Sequence, residues 1–224
     1  MKLYYHPVST TSRIAWLGAE ECGEKCELQV IDLMTGEHMK PPYSDMNPNK
    51  LVPMLEDGDF RLTESASILR YIAEKCKSPA YPTELRARAR VNEMMDWFNS
   101  NIYKDLAYGL VYPQIFPNHQ RPTEEMQKGT LAWHKERTEN WLKILDEKLI
   151  GPKKTYLTGD AVTIADYQGG EIIGLGEIIR CNYAKYPNIT RWMGKIKALP
   201  SWPKVNEVFY GFAASVKDKP FVAI

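Results

Sequence analysis

The sequence predicts a small α/β domain with a four-stranded sheet, followed by an all-helical domain. Three observations carry this prediction. Between Lys2 and Leu33 the chain alternates strand, helix and strand patterns. A hairpin signal at Asp57-Gly58 runs directly into a helical pattern after Glu64-Ser65. Beyond the linker Ser78-Pro79-Ala80-Tyr81-Pro82-Thr83 no convincing strand pattern returns.

Lys2 to His6 reads as a strand that Pro7 ends. Ser9-Thr10-Thr11-Ser12 then leads into Ile14, Ala15, Leu17, Gly18 and Ala19, a helix that Gly23 can stop. Glu27 to Leu33 is the second strand, and strand–helix–strand favours a parallel pair with a crossover helix. Thr35-Gly36-Glu37-His38 and Pro41-Pro42 form an irregular polar stretch before Val52-Pro53 opens a short apolar run. Asp-Gly is a favoured hairpin turn, since Gly58 accepts positive φ without a Cβ penalty. After it, Ala66, Leu69, Ile72 and Ala73 recur at helical spacing, and the free N–H groups at that helix start suit an anion. The order is βαβ then ββα.

The second unit is read entirely as helices. Glu84 to Val111 carries Val91, Met94, Met95, Phe98 and Ile102 on one side, with Pro113 and Pro117 expected to break it. Thr123 begins a long helix bearing Leu131, Trp133, Trp141, Leu142, Leu145 and Leu149, stopped at Gly151-Pro152. Thr163-Ile164-Ala165-Asp166 has the form of a capping box, with Asp in place of Glu or Gln. The helix it opens contains Gly169, Gly170, Gly174 and Gly176, whose cost in helix propensity implies close packing. Pro187–Leu199 and Trp202–Val216 supply two more helical segments. The expected boundaries are 1–77 for the α/β domain, 78–84 for the linker and 85–224 for the helical domain.

Composition excludes several classes. The 224 residues are 44% hydrophobic and 25% charged, ordinary for a globular protein. A net charge of +1 offers no electrostatic case for nucleic acid or an anionic membrane. No apolar run reaches membrane-spanning length, and the N-terminal residues read as a strand rather than a signal peptide, so a cytoplasmic location is expected. Cys22, Cys26, Cys76 and Cys181 form neither a CxxC motif nor a Cys–His cluster, so free thiols and no metal are expected. Cys22 and Cys26 straddle Gly23 and need not face one another.

Taken together these motifs resemble the soluble glutathione S-transferases along essentially the whole chain. Asp32-Leu33-Met34-Thr35-Gly36-Glu37-His38, Gly58-Asp59-Phe60, Leu62-Thr63-Glu64-Ser65 and Arg88-Ala89-Arg90-Val91 look most like the theta class and its bacterial relatives. The pattern L-Y-x4-S-x3-R is met by Leu3-Tyr4, Ser9 and Arg13. The resemblance implies a thioredoxin-like first domain with a cis-proline at Val52-Pro53, an all-α second domain, glutathione as co-substrate and a homodimer. It implies Ser9 as the residue that stabilises the glutathione thiolate. Glutathione contacts are implied for His38, Val52, Pro53, Glu64 and Ser65, with Val52 offering its backbone and Glu64-Ser65 taking the γ-glutamyl end. Many theta-like proteins carry lysine directly before that valine, where this chain has Leu51, with Lys50 one position earlier.

Ser9 also reads as a simple helix cap. Thr10, Ser12 and Tyr5 are alternative thiol activators, while Tyr4 belongs to the strand. Tyr108 and Tyr112, four apart, share a helical face with Lys104 and are candidates for the electrophile pocket; core packing is the competing role. Phe209, Tyr210 and Phe212 are expected to cover that pocket. The leading function is conjugation of glutathione to hydrophobic electrophiles. The alternatives are a glutathione-dependent peroxidase or disulfide reductase, and a non-catalytic binding protein of the same fold. The absence of a cysteine near Ser9 weighs against a mixed-disulfide mechanism.

Overall fold

Four strands form one mixed sheet in the computed structural model, which describes residues 1–224. Strand β1 (Lys2–Tyr5) pairs in parallel with β2 (Glu27–Val30), placing Lys2 beside Glu27 in a 2.9 Å ion pair. Strand β3 (Met54–Asp57) lies antiparallel to β1 and turns at Gly58, φ +67°, into β4 (Phe60–Leu62). The order is β2-β1-β3-β4. A parallel pair needs a crossover, and α1 (Thr10–Glu21) supplies it.

The period-2 alternation of strands divides β1 between two cores. Leu3 and Tyr5 join Leu55 in the main core, shared with α1 and α3 (Ser65–Lys75). Tyr4 points the other way, into a small cluster with Ile31, Tyr43, Val52 and Met54. Tyr43 opens α2 (Tyr43–Met46), a short helix in the stretch read as irregular from sequence. Both Val52-Pro53 and Pro41-Pro42 are cis peptides.

The helical domain begins with a rod comprising α4 (Leu85–Trp97), a π-helical segment (Phe98–Val111) and α5 (Tyr112–Ile115). Pro113 does not break it, contrary to expectation. The ladder widens to i→i+5 bonds before the proline, and the Gln114 side chain donates to the Leu110 carbonyl at 2.9 Å. The rod ends at Phe116, and Pro117 starts a separate 3₁₀ turn. Helix α6 (Glu124–Ile144) is capped by Thr123, whose hydroxyl accepts from the Met126 N–H, and continues through Leu145–Ile150 to Gly151 at φ +64°.

Helix α7 (Ile164–Gly174) is buried on all sides and opens with the expected capping box. Three of its region's four glycines are required by packing. A Cβ on Gly169 would lie 2.6 Å from Phe98, on Gly170 2.5 Å from Ile196, and on Gly176 2.1 Å from the Tyr183 hydroxyl. Gly174 differs: its nearest neighbour would be an ordinary 3.7 Å contact with Trp202. Helices α8 (Pro187–Lys197) and α9 (Trp202–Ser215) complete the domain.

Two buried polar groups tie elements together. Asp105 accepts from the Trp141 indole N–H at 2.7 Å and from Arg137, and lies 2.8 Å from His134 Nδ1, joining the rod to α6. Arg13, fully buried on α1, reaches Glu171 on α7 at 3.4 Å and donates to Asn206 on α9 at 2.9 Å. Its guanidinium lies 3.6 Å from the centre of the Phe209 ring. These contacts hold the sheet domain against the helical domain.

Candidate functional site

A cavity of about 710 Å³ opens between the two domains, where the N-terminal ends of α1 and α3 meet the rod. Ser9, Thr10, His38, Val52, Pro53, Glu64, Ser65, Tyr108 and Tyr112 all line it. These residues lie far apart in sequence. Parallel pairing of β1 with β2 and the antiparallel return of β3 bring their loops to one end of the sheet.

Ser9 is the N-cap of α1, and its Oγ accepts from the Ser12 N–H at 3.4 Å. It therefore fills the helix-cap role while retaining a hydrogen to donate. That hydrogen has a resting partner. Thr11 donates its hydroxyl hydrogen to the Val52 carbonyl at 3.0 Å, so the 3.0 Å contact between Ser9 and Thr11 has Ser9 as donor. The same bond engages the Val52 carbonyl from within the protein and leaves the Val52 N–H as the group more open to a ligand.

The other hydroxyls near Ser9 are placed differently. Ser12 is fully buried, accepts from the His6 N–H at 3.2 Å and does not line the cavity. Tyr5 is buried edge-on against Trp16, ring centres 5.3 Å apart, also away from the cavity. Thr10 lines the cavity but is buried, and accepts from Arg13 at 3.4 Å. Of the hydroxyls offered as thiol activators, Ser9 and Thr10 line the cavity, and Ser9 is the less buried of the two.

At the α3 end, Glu64 caps the helix with φ +66°, unusual for a residue with a side chain, and its carboxylate makes no capping bond. The first N–H groups of α3 and the Ser65 hydroxyl are thus left for an anion, with Glu64 beside them for a cation. His38 lines the same cavity, and its Nδ1 is buried without a partner. Lys50 reaches the cavity at φ +55°. Leu51 is 58% exposed, and its carbonyl accepts from Tyr43 at 2.6 Å and Asn47 at 2.8 Å.

Sequence reasoning missed His6, Tyr103 and His119 in the lining. His6 Nδ1 accepts from the Val8 N–H at 3.3 Å, so the ring's hydrogen sits on Nε2 when it is neutral. Burial lowers the His6 pKa below its ordinary value, opposed by nearby Asp32 and reinforced by His38. Tyr103 was hidden by the periodicity assumed. In an α-helix residues five apart diverge, whereas i→i+5 bonding brings Tyr103 beside Tyr108, ring centres 5.5 Å apart. The Tyr103 and Tyr112 hydroxyls share a 3.0 Å hydrogen bond. Burial raises both phenols, Tyr103 well above its ordinary value, so they remain donors at neutral pH.

Two expectations need correction. Lys104 is exposed and lies outside the cavity. Phe209, Tyr210 and Phe212 do not cover it either: Phe209 packs under Arg13, and Phe212 stacks on the wall residue Phe116 with ring centres 6.4 Å apart. They brace the pocket from behind. None of the four cysteines lines the cavity, and no three His, Cys, Asp or Glu side chains are gathered as a metal site.

Comparison with known proteins gives consistent results. Residues 1–74 match the family model of the glutathione S-transferase N-terminal domain, and residues 105–200 that of the C-terminal domain. The chain is 30% identical to human glutathione S-transferase theta-1 over 206 residues, 88% of this chain and 82% of that protein. Human glutathione S-transferase theta-2 is 31% identical over 205 residues, 88% of this chain and 81% of the other. A delta-class glutathione transferase from Nilaparvata lugens superposes with a TM-score of 0.81 at 30% identity, covering 96% of this chain and 98% of that one. Human glutathione transferase theta-2, solved with glutathione and an unknown ligand, superposes with a TM-score of 0.81 at 26% identity, over 99% of this chain and 92% of the other.

Proposed function

The chain belongs to the glutathione S-transferase family as a theta-like glutathione transferase, and on that premise we propose that it conjugates glutathione to small hydrophobic electrophiles, with Ser9 stabilising the thiolate. The observation that carries this reading is the Ser9 hydroxyl at the cap of α1, in one cavity with Val52, Glu64 and Ser65. Glutathione binds with its γ-glutamyl carboxylate at the α3 N-terminus and Ser65, and its ammonium at Glu64. The cysteinyl backbone pairs with Val52 beside Pro53, and the glycyl carboxylate lies toward His38.

On binding, the Ser9 hydrogen turns from Thr11 to the sulfur. A thiol of ordinary pKa about 8.5 needs about 2.7 kcal/mol of thiolate-selective stabilisation to fall by two units. A hydrogen bond to a charged acceptor contributes about 1.5–3 kcal/mol, and the N-terminal end of α1 adds roughly 0.3–1 kcal/mol. No general base is required. The thiolate attacks carbon, the S–C bond forms as the bond to the leaving group breaks, and the leaving group departs with the electron pair. Tyr108, Tyr112 and Tyr103 form the facing wall, and the Tyr103–Tyr112 hydroxyl pair can donate to the departing or polarised atom.

A homodimer is part of the same reading, formed by the first-domain hairpin and α3 against the helical domain of a second copy. Phe60 on β4 and Leu85 at the start of α4 are large apolar residues left exposed in the single chain. Light scattering is expected to return twice the chain mass; a monomer would count against this.

The decisive assay is conjugation of a small aryl or alkyl halide by wild type and Ser9→Ala. Loss of about 1.5–3 kcal/mol of transition-state stabilisation lowers kcat/KM roughly 10- to 150-fold. Calorimetric glutathione affinity should stay within a few-fold. Unchanged turnover in Ser9→Ala would remove Ser9 and promote Thr10, while failure of wild type to bind glutathione would favour a non-catalytic role.

A further inference from the structure

Three of the four cysteines meet at the end of the sheet domain remote from the cavity. Helices α1 and α3 both start at the cavity, with Ser9 and Ser65 at their N-terminal ends. They run side by side so closely that a Cβ on Gly18 would lie 2.1 Å from Leu69 Cδ1. Both then end on a cysteine: Cys22 is the C-cap of α1 and Cys76 the C-cap of α3. The Cys22 thiol is near enough to raise the Cys76 pKa, and Cys76 donates to the Ile72 carbonyl at 2.6 Å. Cys26, just ahead of β2, lies near Cys76 as well. All three are free, partly buried and packed against the main core.

We propose that Cys22 and Cys76 are a thiol–disulfide pair that closes on oxidation by a small disulfide such as glutathione disulfide. The bond staples together the far ends of the two helices whose near ends carry Ser9 and Ser65. A thiolate of the pair attacks one sulfur of glutathione disulfide, forming a mixed disulfide and expelling a glutathione thiolate. The second cysteine then attacks the protein sulfur of that mixed disulfide, forming the Cys22–Cys76 bond and expelling a second glutathione thiolate. The two protein thiols lose two electrons, glutathione disulfide gains them, and the two thiol protons end on the released glutathione. Burial, with the Cys22 thiol nearby, pushes Cys76 up to about 12, and burial pushes Cys26 up to about 11, so neither is a ready thiolate at neutral pH. Cys22 and Cys76 are favoured over Cys26 because each caps the end of a rigid helix and the two helices run side by side.

The test uses the reduced full chain, incubated at mildly alkaline pH with millimolar glutathione disulfide and quenched in acid. Titratable thiols should fall from four to two, with a mass loss of two hydrogens and a Cys22–Cys76 linked peptide on mapping. Dithiothreitol should reverse the change, and the oxidised protein should melt several degrees higher. Cys26→Ser and Cys181→Ser should still form the link; Cys22→Ser and Cys76→Ser should not. A Cys26–Cys76 link, a bond between two chains, stable glutathione adducts on single cysteines or four unchanged thiols would each overturn the proposal.

Discussion

At the scale of single residues, Ser9 satisfies two demands with one oxygen. It accepts the Ser12 N–H as a helix cap and lends its own hydrogen to Thr11 until a stronger acceptor arrives. The cavity histidines carry a different consequence. Burial lowers His6 below its ordinary 6.5, and burial with nearby Arg121 lowers His119 likewise. For a depressed pKa the unfolded chain binds the proton first, so stability rises with pH across the gap. Their contribution is fully present above about pH 6.5 and is lost as pH falls through the folded values. The melting temperature should therefore hold from about pH 8 to 7 and decline below about 6.5. His6→Asn, which keeps an acceptor for the Val8 N–H, should decline less steeply. A melting temperature that climbs on acidification through this range would contradict the assignment.

At the scale of elements, α7 rests on its first turn. The buried Asp166 carboxylate accepts from the Thr163 N–H and hydroxyl at 2.8 Å each, the Leu157 N–H at 2.9 Å and the Trp192 indole at 2.9 Å. Burial pushes this carboxyl up while those hydrogen bonds pull it down. Asp166→Ala removes the cap, about 1 kcal/mol, and strands several buried donors at about 1–3 kcal/mol each. A loss of at least about 3 kcal/mol in urea unfolding is expected. Asp166→Asn should lose less, because its amide oxygen still accepts. A loss under about 1 kcal/mol for the alanine variant would show that water or a rearrangement replaces the carboxylate.

At the scale of the whole molecule, the cavity exists because two domains are held at a set separation. Arg13 is central to that, since its helix carries Ser9 while its guanidinium lies among Glu171, Asn206 and Phe209 of the second domain. Removing one partner of a buried pair leaves the other charge uncompensated, at about 3–5 kcal/mol. Arg13→Met should destabilise by that amount. Adding Glu171→Met should recover much of the loss, and the two changes should be strongly non-additive. Additive losses in denaturant unfolding would mean that the two residues act independently.

Local chemistry made much of this legible without a structure. The Asp57-Gly58 turn, the Thr163–Asp166 capping box and the parallel opening pair are short-range patterns whose physics is complete within a few residues. The family resemblance rests on the same kind of pattern, with Ser9, Val52, Glu64 and Ser65 each inside a local motif. Tertiary structure decided what depends on register and distance. The π-helical ladder carried the rod through Pro113 and turned Tyr103 into the cavity, which an assumed 3.6-residue period could not anticipate. Burial removed Tyr5 and Ser12 from the choice of hydroxyls, and packing set Phe209 behind the pocket instead of over it. Cys22 and Cys76 are separated by most of the first domain in sequence. Only the side-by-side course of α1 and α3 brings their thiols together.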